Sequence, residues 1–299
     1  MRRALLTGAT SYLGLALADA LTETGVEVHA VVRPTSDRKR FDRLSEPPTV
    51  HVHDGKEGSL AGIVAAARPD VVFHLATRYL REHEPDQVAD LIDSNVRFGT
   101  LLLEAMAGAG VKRIVAAGTY FQHFNATGYR PLNLYAATKQ AFDDILAYYV
   151  DAKGFLATTL VLFDVYGPGD WRKKLPGAML EAQRSGTPLP IPTDDIAMDL
   201  VYVADAAEAF VHAAEKLKED PTSVAGGRFA VSSGERKTIA EIARVFEAEG
   251  GKPVPLNVGG YAPPPRAISH PWAGPALPGW RPRVSLKDGI RRFIEGTPP

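Results

Sequence analysis

A short apolar run, Ala4-Leu5-Leu6-Thr7, ends at Gly8, and Ala9-Thr10-Ser11-Tyr12-Leu13-Gly14 leads directly into the Ala/Leu-rich segment Leu15 to Leu21. A strand that turns through glycine straight into a helix is compatible with few folds. It is the opening β-turn-α of a dinucleotide-binding sheet, where glycine lets the chain turn sharply and approach a pyrophosphate. The helix start adds free N–H groups and the positive end of its dipole. Gly8, Thr10, Ser11, Tyr12, Leu13 and Gly14 are the expected phosphate-binding loop, spaced G-x-x-S-x-x-G.

The rest of the chain keeps the matching rhythm. Strand-like runs at Val26 to Val32, Val50 to Val52, Asp70 to Leu75, Val111 to Ala116 and Ala157 to Phe163 alternate with helical patterns at Leu60 to Ala67, Ala89 to Ala107 and Ala136 to Tyr149. This predicts an α/β fold of Rossmann type: a parallel sheet with helices on both faces. After about Tyr166 the texture changes, with Pro168, Pro176, Pro188, Pro190 and Pro192 marking loops. Helices at Asp205 to Leu217 and Ile239 to Glu249, a strand at Phe229 to Val231 and a Pro-rich stretch from Tyr261 to Pro282 follow. We expect residues 1–165 to form the dinucleotide-binding domain, with elements returning near 199–217. Residues 166–198 and 218–299 form a smaller C-terminal substrate-binding lobe over the strand ends.

Composition narrows the function. With 299 residues, a formal net charge of -1 and no cysteine, the chain has no electrostatic footprint for nucleic acid and no thiol chemistry. Met1-Arg2-Arg3 resembles a signal n-region, but the apolar stretch behind it breaks at Thr7-Gly8, and no run reaches the ~18 apolar residues of a membrane span. A cytoplasmic protein without membrane or nucleic-acid partners is expected. His51 and His53 share a strand face, but with no third ligand in view no metal site is expected.

Two positions bear on cofactor choice and chemistry. The second strand ends in Val32-Arg33-Pro34-Thr35-Ser36, where an acidic residue would accept from a ribose 2′-OH and an Arg suits a 2′-phosphate. Arg33, with Ser36 and Arg38 nearby, favours NADP(H) over NAD(H); the same run also reads as a solvated basic loop. Asn133-Leu134-Tyr135-Ala136-Ala137-Thr138-Lys139 contains Y-x-x-x-K behind a helix-start signal. Positions four apart share a helix face, so the phenol and the ammonium can meet one ribose. The ammonium is expected to lower the phenol's value from ~10, making Tyr135 an acid or base near neutrality.

These pieces together resemble the extended short-chain dehydrogenase/reductase superfamily, the NAD-dependent epimerase/dehydratase family of nucleotide-sugar enzymes, although Ser11 stands where that branch usually has a third glycine. Further matches are Asn95-Val96-Arg97-Phe98-Gly99-Thr100, Asp164-Val165-Tyr166-Gly167-Pro168-Gly169, Asp199-Leu200-Val201-Tyr202-Val203 and Gly279-Trp280-Arg281-Pro282. The resemblance implies Thr119 as the hydroxyl that joins Tyr135 and Lys139 in catalysis, and Asp54, Leu75 and Ala76 beside the cofactor. It implies Thr77, Tyr120, Asp164, Arg172 and Arg266 around the substrate, with Arg266 against the nucleotide diphosphate; the run Arg172-Lys173-Lys174 reads equally as diphosphate contacts or as a solvent-facing run. Asp164 replaces the usual Asn, and Met198 the usual Arg.

The wording around Thr119, Tyr135 and Asp164 resembles CDP-abequose and CDP-paratose synthases. That implies NADPH-dependent reduction of the 4-keto group of a CDP- or dTDP-linked 6-deoxyhexose, by a homodimer joined through Ala89 to Ala107 and Ala136 to Tyr149. Tyr120 and Phe121 stand where 4,6-dehydratases carry an Asp-Glu pair, which disfavours dehydration. A 4-epimerase with bound NAD, a reductase of flavonoid or steroid ketones, and a non-catalytic NADP-binding sensor are the alternatives.

Overall fold

The computed structural model describes residues 1–56, 58–193 and 196–297. Strands β1 (Arg3–Thr7), β2 (Glu27–Val32), β3 (Thr49–Val52), β4 (Val71–His74), β5 (Arg113–Thr119) and β6 (Leu156–Leu162) come first. The chain then makes β7 (Asp164–Tyr166), β8 (Leu189–Ile191) and β9 (Ala197–Tyr202), returns as β10 (Arg228–Val231), and finishes its strands with β11 (Arg236–Thr238) and β12 (Leu256–Val258). The main sheet runs β10-β6-β5-β4-β1-β2-β3 and is parallel throughout. Its central strands are covered on both faces, which is why β1 and β4 read as unbroken apolar runs.

Nine helices are described: α1 (Tyr12–Glu23), α2 (Ser59–Ala67), α3 (Val88–Ile92), α4 (Phe98–Gly108), α5 (Leu134–Lys153), α6 (Leu175–Ser185), α7 (Val203–Glu219), α8 (Ile239–Gly250) and α9 (Leu286–Glu295). On one face α1 and α7 pack through Leu13, Leu17, Leu21, Phe210 and Leu217. On the other, α2, α4 and α5 bury Val64, Leu102, Met106, Phe142 and Leu146. The small sheets β11-β9-β7 and β12-β8 sit with α6, α8 and α9 around a separate apolar cluster that includes Met179, Leu200, Phe246, Ile290 and Phe293.

Several elements differ from the sequence reading, which named neither α6 nor the short strands β7, β8, β9, β11 and β12. The helix expected over Ala89 to Ala107 is interrupted at Asp93–Arg97 by a π turn, because buried Asn95 turns inward to bond groups on both sides. The sequence reading also missed α9, although Ser285 caps it by accepting from Asp288 N and Leu286, Ile290 and Phe293 form its buried stripe.

The strand order reverses between β1 and β4. Loops on either side of that point part, leaving a crevice outside the carboxyl ends of the strands.

Candidate active site

The crevice floor is bare backbone. Gly8 has φ +73°, and a Cβ there would lie 2.7 Å from Ala76 N and 2.8 Å from Leu75 C. Both reasons demand glycine. At Gly14 a Cβ would meet the Gly8 carbonyl oxygen at 2.2 Å, so the helix start can close onto the turn only without a side chain. Ser11, at φ -77°, needs no glycine; its Oγ accepts from Gly14 N at 3.0 Å and caps α1. First-turn amides have no carbonyl one turn back. The cap uses that of Gly14 and leaves Tyr12 and Leu13 at the cleft.

Along β2 the cleft, about 560 Å³, is lined by Gly8, Thr10, Ser11, Arg33, Ser36 and Arg40 among others. The Arg33 amide donates to Ser36 Oγ and the Ser36 amide to the Arg33 carbonyl, each at 3.0 Å, folding the turn after β2. Arg38 and Asp54 do not line it; Asp54 pairs instead with Lys56 at 3.0 Å, and bonding to Lys56 holds its carboxyl below the usual range. Arg40, which the motif reading passed over, donates to the Thr10 carbonyl at 3.0 Å. His53 lines the cleft, whereas His51 stacks on His29. No cluster of three or more metal-ligating side chains is found among the described residues.

The opposite wall belongs to α5. Asn133 Oδ1 accepts from Ala136 N at 2.9 Å and fixes the helix start, so Tyr135 and Lys139 face inward, 8% and 3% exposed. Burial pushes the Tyr135 phenol up to about 12, and hydrogen bonding with Thr77 and Thr119 offsets part of that rise. Burial pulls Lys139 down to about 8, against the charge of Asp143. The lowering of the phenol expected from Lys139 is not found: Lys139 is not among the groups that shift it, and burial sets the direction. His74, beneath, is held neutral at about 3 by burial and by Lys139.

Contacts distant in sequence hold this wall. Asn95 Oδ1 accepts from Thr77 Oγ1 and Arg78 N, and its Nδ2 donates to Arg78 O and Thr138 Oγ1. The π turn therefore bolts the loop after β4 to α5. Gln122 Oε1 accepts from Thr119 N, while its Nε2 donates to Gln140 Oε1 and Asp143 Oδ2. Thr119 is held from behind.

On the substrate side a contiguous cleft of about 370 Å³ is lined by Thr77, Tyr79, Thr119, Tyr120, Phe121, Tyr135, Lys139, Asp164, Arg172 and Lys174, among others. The Tyr120 hydroxyl donates to Asp164 Oδ2 at 2.9 Å, and Lys174 Nζ lies 3.4 Å from Oδ1. Arg172 is committed to Asp170 and to the Val165 carbonyl at 2.7 Å. Arg266 lies away from this cleft, donating to the Leu132 and Pro131 carbonyls at 2.7 and 2.6 Å. Tyr79, edge-on to Tyr135 at 5.0 Å, is a site residue that no local pattern marked, and of the run Arg172-Lys173-Lys174 both Arg172 and Lys174 line the cleft.

A larger hollow of about 670 Å³ opens at the other end of the sheet, beside Arg68, Lys112 and Arg113. Helices α2 and α4 end there, and Lys112 Nζ donates to the Lys153 carbonyl at 2.8 Å. Carbonyl ends of helices attract cations, and Lys112 meets the end of α5 in this way.

A nicotinamide dinucleotide fits the residues present. The glycine floor and the Tyr12 and Leu13 amides suit its pyrophosphate, Arg33 and Ser36 lie along the same cleft, and the cleft continues to Thr119, Tyr135 and Lys139. No described helix is long and apolar enough to cross a membrane.

Residues 4–226 match the sequence profile of the NAD dependent epimerase/dehydratase family. The chain is similar to CDP-abequose synthase of Yersinia pseudotuberculosis, 27% identical over 218 residues that cover 70% of this chain and 72% of the relative. It is also similar to UDP-glucose 4-epimerase of Mycolicibacterium smegmatis, 26% identical over 328 residues, covering 98% and 97%. In its fold it is similar to UDP-glucose 4-epimerase of Thermus thermophilus, solved in complex with NAD, with a TM-score of 0.81, 24% identity and 98% of each chain covered. The chain belongs to the NAD dependent epimerase/dehydratase family and is an enzyme of the nicotinamide-dependent oxidoreductase type.

Proposed function

We propose that this enzyme reduces the 4-keto group of a nucleotide-activated 6-deoxyhexose with NADPH. The observation that carries the reading is the placement of Arg33 and Ser36 along the cofactor cleft that continues to Thr119, Tyr135 and Lys139. Ketone reduction releases the oxidised cofactor and draws on fresh NADPH, whereas epimerisation keeps its NAD bound, and an Arg at the end of β2 suits the 2′-phosphate of NADPH. One hydride to the carbon, supplied by a bound reduced nicotinamide, and one proton to the oxygen, supplied by Tyr135, balance the conversion of ketone to alcohol. Thr119 holds the same oxygen, and Lys139 orients the cofactor ribose.

Arg33 and Ser36 in the cofactor cleft support NADPH, and Tyr120 and Phe121 after Thr119 offer no carboxyl for dehydration. The similarity to CDP-abequose synthase supports a CDP-linked substrate. Exposed Leu101 on α4 and Tyr148 on α5 support a homodimer through those helices, which sedimentation at two concentrations tests. Purified protein with NADPH and CDP- or dTDP-4-keto-6-deoxyglucose is expected to consume nicotinamide absorbance. Interconversion of UDP-hexoses without added cofactor would replace this reading with a 4-epimerase. NADPH binding without turnover would point to a sensor.

One observation favours a second reading. Arg172 and Arg266, the expected diphosphate contacts, are engaged elsewhere, and Tyr79, Tyr120, Phe121 and Phe163 give the substrate cleft an aromatic lining. An uncharged cyclic ketone suits such a cleft. Turnover of flavonoid or steroid ketones with none of the nucleotide sugars would establish it.

A further inference from the structure

Arg40 lines the cofactor cleft and the substrate cleft alike. It stands on the short 3-10 turn Arg38–Arg43. Three contacts fix it: Nη1 donates to the Thr10 carbonyl at 3.0 Å, Nε faces Asp37 Oδ2 at 3.3 Å, and the guanidinium lies 4.3 Å from the Trp171 ring centre. Two of its five N–H donors are used in this way. A guanidinium donates in its own plane and stacks through its face, so a phosphate oxygen and Trp171 can hold it together.

Trp171 carries the contact onward. It meets Tyr12 edge-on at 5.6 Å, the Tyr12 hydroxyl donates to the Pro168 carbonyl at 3.0 Å, and Arg172 lies 4.6 Å over the same tyrosine ring. Arg43 also approaches Trp171, at 5.2 Å, and donates to the Gly169 carbonyl at 3.4 Å. Cations and rings thereby tie the Gly8 to Gly14 loop, the Arg38–Arg43 turn and the 167–174 segment into one ladder.

We propose that Arg40 is a further contact for a cofactor phosphate and a positioning residue for the substrate cleft. An anion bound at the Gly8 to Gly14 loop takes the remaining donors of Arg40, tightens its stack on Trp171, and so orders the segment that carries Arg172 and Lys174. Cofactor then binds before substrate. The inference rests on the dinucleotide reading of the cleft.

Hydrogen exchange of the full-length protein with and without NADPH tests it. NADPH is expected to slow exchange in residues 8–14 and in residues 167–174. Trp171→Leu keeps the first protection and loses the second, and Trp171→Phe, which retains a ring, restores it; protection of β1 and β4 in the same spectra reports that each variant is folded. Arg40→Met is expected to raise the NADPH dissociation constant roughly tenfold or more, with partial recovery in Arg40→Lys, which keeps charge without the fork. Protection confined to 8–14 in the wild type, or 167–174 protection that survives Trp171→Leu, overturns the inference and leaves the dinucleotide reading standing. Protection at neither segment overturns both.

Discussion

The two walls of the crevice are made in opposite ways. On α5 the reactive groups are sealed into the protein, with Tyr135 and Lys139 almost without solvent contact. At the end of β2, Arg33 and Ser36 sit on an open turn held by one backbone bond and one bond to the Ser36 hydroxyl. Desolvation sets the chemistry of the first wall, since it moves a phenol up to about 12 and an ammonium down to about 8. Surface charge sets the second, where solvent screens each contribution. Changes on α5 should therefore abolish function, and changes near β2 should retune it.

The largest expected effect is on the sealed wall. Tyr135→Phe removes the transferable proton and should lower kcat by roughly 10²–10⁴-fold with nicotinamide affinity retained; steady-state rates beside a fluorescence titration with NADPH check this. Retained turnover would break the contrast outright.

Lys139→Met separates chemistry from stability. Burial holds Lys139 at about 8, below the ordinary 10.5 of a lysine, so carrying its charge inside costs roughly 3 kcal/mol at neutral pH. The variant should be inactive yet more stable than wild type at pH 7. From pH 8 toward 10.5 the unfolded chain holds the proton that the folded chain has released, so wild-type stability gains and the variant's advantage shrinks. Denaturant unfolding at pH 7 and pH 10 measures both.

On the open wall the effects are smaller. Arg33→Ala should shift the ratio of NADPH to NADH affinity by roughly 10–100-fold toward NADH, the worth of a charge-assisted contact, without loss of fold. Asp54→Asn, whose carboxyl faces Lys56 outside the cleft, should change either affinity less than about twofold. An equal effect at Asp54 and Arg33 would erase the distinction.

The same contrast explains what was readable in the chain. Gly8, Gly14, Tyr135 and Lys139 announce themselves because their roles depend on neighbours within a turn or two, and the alternation of strands and helices is likewise local. Asn95 within its π turn, Arg40 on Trp171, and Tyr79 against Tyr135 depend on partners from other loops. Spacing carries no trace of such pairs. Arg172 and Arg266 illustrate the converse: both stand at positions suited to a diphosphate, yet Asp170 and two loop carbonyls engage them. The raised value of Tyr135 was equally hidden, since it follows from the depth of the site rather than from the lysine one turn away.

The contact between Gly8 and the Leu75–Ala76 peptide has a bearing on how such an enzyme diversifies. With no room for even a methyl group between two main chains, the bottom of the trough is chemically mute and treats every visitor alike. New preferences can be written only along its banks, at residues such as Arg33, Arg40 and Lys174. Mutant libraries aimed at altered selectivity should leave the trough bottom constant and spend their variation on those margins.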